Sequence, residues 1–384
     1  MVQLGIKGGE QDDLHWMRCA IALSYRNLGA TGDNPSVGAL IVHYNARGQG
    51  LVIGRGVTQS GGRPHAEIVA LNQASEHYPD LIKGAVVYVT LEPCAHQGRS
   101  GSCAQALIAA GVARVVCAFQ DPNPQVSGQG FAALRQAGID VETDLLAQEA
   151  WPVLRGFFSR IIRKRPFVIA KLASSLDGKI ALASGQSQWI SSEKSRRHVH
   201  LLRAQADALF TGIGTALSDN PRLTVRLDGL EQRSPLRVIL DRQGRLPPDA
   251  ALLDGSIPTQ VYSLRTGDYR AIIEERENCS WQSFQGLPAL LEDLGTKGVN
   301  VLMVEAGAGL VSSLLKEELI DALDWYTAPL VIGQDGYGAI AALDIEQMSD
   351  LKRWQVEKRL NFDQDLYQRL INPASRAALG ANEF

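Results

Sequence analysis

Apolar positions along the first part of the chain change period repeatedly. From Asp13 to Leu28 they recur every three to four residues, the spacing of an amphipathic helix, and Gly29 closes the run. "SVGALIVH" and "GLVIGRGVT" are short β-rich runs that read as the two strands of a hairpin. "HAEIVALNQASEHY" returns to helical spacing, and "GAVVYVTLE" is a β-branched apolar run suited to a buried strand. "CAQALIAAG" reads as a short helix closed by Gly111, "ARVVCAF" as a strand, "GQGFAALRQAG" as a helix closed by Gly138 and "IDVET" as a last strand. Strands alternating with helices indicate a layered α/β domain.

Near Trp151 the pattern breaks. "RGFFSRIIRKRP" is basic and mixed, reads as a solvated linker helix, and places a domain boundary between residues 1–160 and 161–384. "PFVIAKLA", "DALFTGIGT", "PLRVILD", "TQVYSL" and "VNVLMVEAG" then supply new strands, with helical stretches such as "SSEKSRRHVHLLRAQ" between them. This is a second α/β domain. "RWQVEKRL" and "DQDLYQRLI" read as a closing strand pair, and the residues after Pro373 as a loose tail.

Composition narrows the function classes. A chain of 384 residues exceeds one comfortable core, which agrees with two domains. Its net charge of −3 and 6% aromatic residues argue against a nucleic-acid partner. No apolar run approaches the roughly 18 residues a membrane span needs, and the first residues lack a signal-peptide pattern, so a cytoplasmic location with no membrane partner is expected. Five cysteines do not make a disulfide framework in a chain this long. Clustered Cys and His therefore point to a metal or to catalysis.

His65, Cys94 and Cys103 offer an imidazole and two thiolates, the donors zinc takes. A catalytic zinc uses three protein ligands and leaves a fourth place to water. Glu67 lies two residues past His65, about 200° round a helix, so both cannot ligate comfortably. At a helix start the carboxylate can instead lie over the water. His-x-Glu followed by Pro-Cys is the pattern of hydrolytic deaminases, in which the Glu carries a proton to the leaving amine. The second cysteine here comes nine residues after the first rather than three. A purely structural zinc with His96 as fourth ligand is the alternative. Cys19 and Cys117 lie in apolar segments and read as core; Cys279 gets no role.

The second half lacks the Rossmann G-x-G-x-x-G. "VNVLMVEAGAGLVSSLLKEEL" is nevertheless a strand, a glycine turn and a helix start whose exposed N–H groups suit a phosphate. "KLASSLDGKIALASGQSQWIS" and "GIGTALSDNPRLTVR" add polar, glycine-containing turns after strands.

"TGDNPSVGALIV", "HAEIVAL", "TLEPCAHQGRSGSC" and "DPNPQVSGQG" together resemble the bifunctional deaminase/reductase of riboflavin biosynthesis, in which the long Cys-to-Cys loop is typical. Asp33 stands where that family usually has Pro, and Ser100-Gly101-Ser102 where it has Thr-Pro-Pro. The resemblance covers roughly Asp13 to Ile371. It implies a cytidine-deaminase-like three-layer domain followed by a dihydrofolate-reductase-like domain, with zinc on His65, Cys94 and Cys103 and Glu67 as proton donor. Asn34 and His96 become candidate substrate contacts. In the second half it implies NADPH contacts at Ala173, Trp189, Thr215, Asp219 and Gly307-Ala308-Gly309-Leu310-Val311-Ser312-Ser313. Substrate contacts fall at Ser187, Arg203, Leu223, Arg226 and Glu305, with Arg203 and Arg226 meeting the ribose phosphate. Lys171 and Asp177 are positional. The implied reaction removes the 2-amino group of 2,5-diamino-6-(5-phosphoribosylamino)pyrimidin-4-one. NADPH then reduces the ribosyl to the ribityl chain, giving 5-amino-6-(5-phosphoribitylamino)uracil. A homo-oligomer is expected. The alternative is a nucleic-acid base deaminase with a C-terminal binding domain.

Overall fold

The computed structural model describes residues 9–95, 101–124 and 126–380. They form two compact units, the first ending at Arg163 and the second running from Lys164 to Gly380.

The first unit contains α1 (Glu10–Ser24), β1 (Gly38–Tyr44), β2 (Gly50–Val57), α2 (Ala66–His77), β3 (Val86–Val89), α3 (Cys103–Ala110), β4 (Arg114–Cys117), α4 (Gln129–Gln136), β5 (Asp140–Glu142) and α5 (Ala147–Arg163). Its five strands run in the order β2-β1-β3-β4-β5. The expected hairpin is present, with a register shift between Ile41 and Val42. β3, β4 and β5 are parallel. Helix α1 touches α5, while α2 touches α3 and α3 touches α4, which makes three layers with the sheet in the middle. Helix α2 lies so close to β2 that a Cβ on Gly56 would come within 2.0 Å of the Ala66 carbonyl oxygen. Glycine is required there because helix and strand backbones nearly touch.

Two expectations in this unit are corrected. The "RGFFSRIIR" stretch is no solvated linker: it is the end of α5, which buries Trp151, Val153, Leu154, Arg155 and Phe158. Trp151, Phe158 and Phe119 pack their rings at centroid distances of 5.2–6.3 Å. Arg160 and Arg163 lie outside the buried stripe of this amphipathic helix while Arg155 lies within it, so charge density alone misled. Cys117 is buried as expected, but Cys19 is only half-buried, its Sγ 3.9 Å from His15 Nε2 one turn away.

The second unit contains β6 (Phe167–Ser174), β7 (Lys179–Ala181), α6 (Glu193–Ala204), β8 (Ala208–Gly212), α7 (Ile213–Asp219), β9 (Leu236–Leu240), β10 (Thr259–Ser263), α8 (Asp268–Glu274), β11 (Cys279–Ser283), α9 (Leu287–Thr296), β12 (Val301–Val304), α10 (Ala308–Lys316), β13 (Ala322–Thr327), β14 (Tyr337–Gly338), β15 (Gln355–Phe362), β16 (Asp365–Ile371) and α11 (Pro373–Ala377). Nine strands form one sheet in the order β11-β10-β9-β8-β12-β6-β13-β16-β15. The strands from β11 to β13 are parallel, and all but the exposed edge strand β11 are largely buried runs; β16 and β15 close the sheet antiparallel, as the sequence pattern predicts. Leu290, Leu291, Leu294, Val304, Val311 and Leu314 pack against one face of this sheet. Residues 373–380 are not loose: Asn372 caps α11, and Ser375 donates to Asp321 Oδ1 at 2.6 Å. Among the described residues no helix is long and apolar enough to cross a membrane.

Candidate functional site

In the first unit, His65 sits at the N-cap of α2, still in extended backbone, and Glu67 lies in the first turn. This resolves the i, i+2 problem, because His65 does not obey helical geometry. Cys94 follows β3, and Cys103 is the first residue of α3. Ser102 joins the two cysteines: its hydroxyl donates to the Cys94 carbonyl at 2.6 Å and accepts from Gln105 N at 3.3 Å as the α3 cap. The serine that replaces the family's proline thus still fixes the loop end.

His65 Nδ1 lies 3.7 Å from Cys94 Sγ and 3.4 Å from Cys103 Sγ. Zn–S and Zn–N bonds of roughly 2.3 and 2.1 Å on a tetrahedron put the N and S ligands about 3.6 Å apart. The donor set and its spacing therefore fit zinc. No fourth protein ligand joins the cluster among the described residues, which suits an open catalytic site over a closed structural one. Cys94 falls to about 4, through hydrogen bonds from Cys103 and His65 that outweigh burial, while Cys103 rises. Burial raises Glu67 to about 7. Glu67 is 4% exposed and shares a cavity of about 290 Å³ with Asn34, His65, Cys94, Asp121, Asn123, Phe157 and Arg160. Asn34 is thereby at the site, donating from Nδ2 to Asp33 Oδ1. His96 lies outside the described residues. Sequence reasoning missed Phe157 and Arg160, because the helix that carries them was read as a linker.

In the second unit, a cleft of about 600 Å³ is lined by Ala173, Ser187, Arg203, Thr215, Asp219, Leu223, Glu305, Gly307 and Ala308. It shares Thr215, Gly307 and Ala308 with a neighbouring cleft of about 700 Å³ that adds Gly309, Leu310 and Ser313, together with Arg242 and Arg245. Volumes of this size suit a cofactor plus a small substrate. A Cβ on Gly214 at the start of α7, or on Gly307 or Gly309 at the start of α10, would meet nothing within 4 Å, so these glycines face open space rather than packed backbone. The residues present therefore fit a dinucleotide.

Not every expected residue lines a cleft. Val311 is fully buried, and Ser312 accepts from Ala341 N at 2.8 Å inside the fold. Trp189 is 65% exposed, under Arg196 at 4.3 Å from the ring centroid. Arg226 is exposed, its backbone N–H donating to His200 Nδ1 at 3.2 Å. Arg203 already has three of its five N–H donors engaged. Nε and Nη2 meet the two carboxylate oxygens of Glu305 at 2.5 and 2.9 Å, and Nη1 meets Thr224 O at 2.8 Å. Burial pushes the Glu305 carboxyl up, but Arg203 outweighs it and leaves it at about 2. Lys171 is half-buried beside this pair at the cleft, and desolvation lowers its ammonium.

Known proteins decide what the two sites belong to. Residues 10–119 match the family model of the cytidine and deoxycytidylate deaminase zinc-binding region, and residues 166–367 that of the RibD C-terminal domain. The riboflavin biosynthesis protein RibD of Escherichia coli K12 is 39% identical over 374 residues, 94% of this chain and 99% of that protein. This chain belongs to the RibD family. Solved RibD structures agree. Form 1 of Acinetobacter baumannii RibD is 39% identical with a TM-score of 0.84, and covers 94% of this chain and 99% of its own. The Thermotoga maritima diaminohydroxyphosphoribosylaminopyrimidine deaminase/5-amino-6-(5-phosphoribosylamino)uracil reductase is 31% identical with a TM-score of 0.83, over the same shares. As a RibD-family member the chain is a bifunctional riboflavin-biosynthesis enzyme, a zinc-dependent deaminase joined to an NADPH-dependent reductase. Its second half is a reductase domain, not the nucleic-acid platform of the alternative reading.

Proposed function

We propose that the first unit deaminates the phosphoribosylated diaminopyrimidinone at the His65–Cys94–Cys103 cluster, and that the second reduces the ribosyl chain of the product at Glu305 and Arg226. The observation that carries this is His65 Nδ1 held 3.4 and 3.7 Å from two sulfurs in a cavity that also buries Glu67. Zinc, when bound there, supplies a Lewis acid that makes water nucleophilic near neutral pH. The remaining work falls to the chain. Glu67, kept from bulk water, takes a proton from the attacking water and returns it to the departing amine. Asn34 and Asn123 offer both donors and acceptors to the pyrimidine edge.

In the second unit NADPH supplies the hydride when bound. The open start of α10 at Gly307 and Gly309 favours its phosphates. Arg203 lines the cleft and holds the Glu305 carboxylate; with Arg226 it is the cation proposed to meet the substrate phosphate. A cytoplasmic location and a homo-oligomeric state belong to the same proposal. The exposed edge strand β15 supports the latter. The test is metal content measured together with ammonia release from the diaminopyrimidinone nucleotide. Near-stoichiometric zinc with ammonia release supports the reading; active, metal-free protein overturns it.

A further inference from the structure

Glu92 lies two residues before Cys94, is 5% exposed, and takes no part in the chemistry described above. Its carboxylate is saturated by backbone donors. Oε1 accepts from Gly130 N at 2.8 Å and Phe131 N at 3.3 Å; Oε2 accepts from Asp121 N at 3.1 Å and Gly128 N at 2.9 Å. A carboxylate has about four acceptor positions, and this one uses them all on main chain. The donors come from both ends of one loop. Asp121 opens it, and Gly128 to Phe131 form the start of α4, whose N-cap Gly128 has no side chain to cap with. Glu92 supplies that cap from another element, with its negative charge at the positive end of the helix. The approach is close enough that a Cβ on Gly130 would stand 2.0 Å from the Pro93 carbonyl oxygen and 3.1 Å from Glu92 Oε1.

The clamped loop has a functional position. Asp121, Asn123 and Val126 line the same cavity as Glu67, His65 and Cys94. Internal bonds keep it compact, with Asn123 N on Asp121 Oδ1 at 2.8 Å and Ser127 N on Asn123 O at 2.8 Å. Its described residues from Asp121 to Gly128 lie in no helix or strand, and Glu92 ties them to the metal ligands because the same short segment carries Cys94.

We infer that Glu92 is a positioning residue for deamination: it fixes the 121–128 wall of the substrate cavity in register with the Cys94 end of the site. The inference rests on the deaminase reading above. Substrate binding then depends on Glu92 although it touches neither metal nor reacting atoms. Glu92→Gln puts an amide N–H where two backbone N–H groups need an acceptor, so half the clamp is lost and two donors are left facing a third.

The experiment compares wild type, E92Q and E92D in the full chain by three measurements: deaminase kcat and KM, zinc content, and hydrogen exchange of the backbone amides. In E92Q, KM rises about tenfold with kcat within about twofold. Zinc content and NADPH oxidation by pre-deaminated substrate stay at wild-type levels, and exchange accelerates only in 120–131. E92D, which keeps the charge on a shorter arm, retains more affinity than E92Q. Three results overturn the inference: faster exchange with unchanged KM, unchanged exchange, or loss of zinc along with activity. The exchange measurement needs no substrate. If wild-type protein releases no ammonia, the deaminase reading fails while the clamp itself is still tested.

Discussion

At the scale of single residues, the two sites differ in what burial does to a carboxylate. For Glu67 burial outweighs the opposing pull of His65 and the carboxyl rises, whereas Glu305 is buried against Arg203 and falls. Glu67→Gln removes the proton carrier and leaves the ligands in place. Ammonia release falls by about 10²–10⁴-fold, while bound zinc and NADPH oxidation by pre-deaminated substrate are retained; metal analysis and the two assays check this. Arg203→Ala strands a buried carboxylate and costs about 3–5 kcal/mol of stability in the reductase unit, whereas Arg226→Ala raises substrate KM without moving the melting transition. The pH dependence has a definite sign. Glu305 is ordinarily near 4.5 and sits at about 2 when folded, so the pair's contribution is complete above pH 4.5 and disappears as pH falls toward 2. Wild type and Glu305→Gln should thus differ most in melting temperature at neutral pH and converge in acid.

At the scale of elements, the deaminase site is held by how near α2 lies to the sheet. Cβ atoms on Gly54 and Gly56 would stand 2.3 and 2.0 Å from the carbonyl oxygens of Ala70 and Ala66. Gly56→Ala pushes the first turn of α2 outward and takes His65 and Glu67 with it. The cost is about 1–3 kcal/mol, with weakened zinc retention and lost ammonia release but intact NADPH oxidation; thermal melts and metal analysis measure it. Strands were legible because parallel, buried runs such as "VVYV" and "VLMV" leave little choice of structure. α5 was misread because its charged stripe and its apolar stripe interleave in sequence, and only the tertiary contacts of Trp151 and Phe158 show which face is inside. The end of the chain was misread for a similar reason: what anchors Ser375 is Asp321, 54 residues away.

At the scale of the whole molecule, each site is built within one unit, which lets the two reactions be separated. Chelation should abolish ammonia release and spare NADPH oxidation by pre-deaminated substrate. Mixing Glu67→Gln protein with Glu305→Gln protein should restore the two-step conversion that neither carries out alone, read as NADPH oxidation starting from the diaminopyrimidinone nucleotide.

The sequence by itself pointed to His65, Cys94 and Cys103 as candidate metal donors with Glu67 as proton carrier, and the fold brings those three donor atoms together. Zinc chemistry restricts ligands to few side chains, and the carboxylate must follow the imidazole closely, so both survive as a local pattern. It also determined two α/β units, since strand and helix periods are local properties. Only the tertiary structure decided which charges are spent and which remain available. Nothing in the local sequence shows that Arg203 is gripped by Glu305, 102 residues away. Glu92 looks like a neighbour of Cys94 until four amides from a later loop converge on it. Hydrogen bonds between distant segments follow from packing, and no local spacing encodes them.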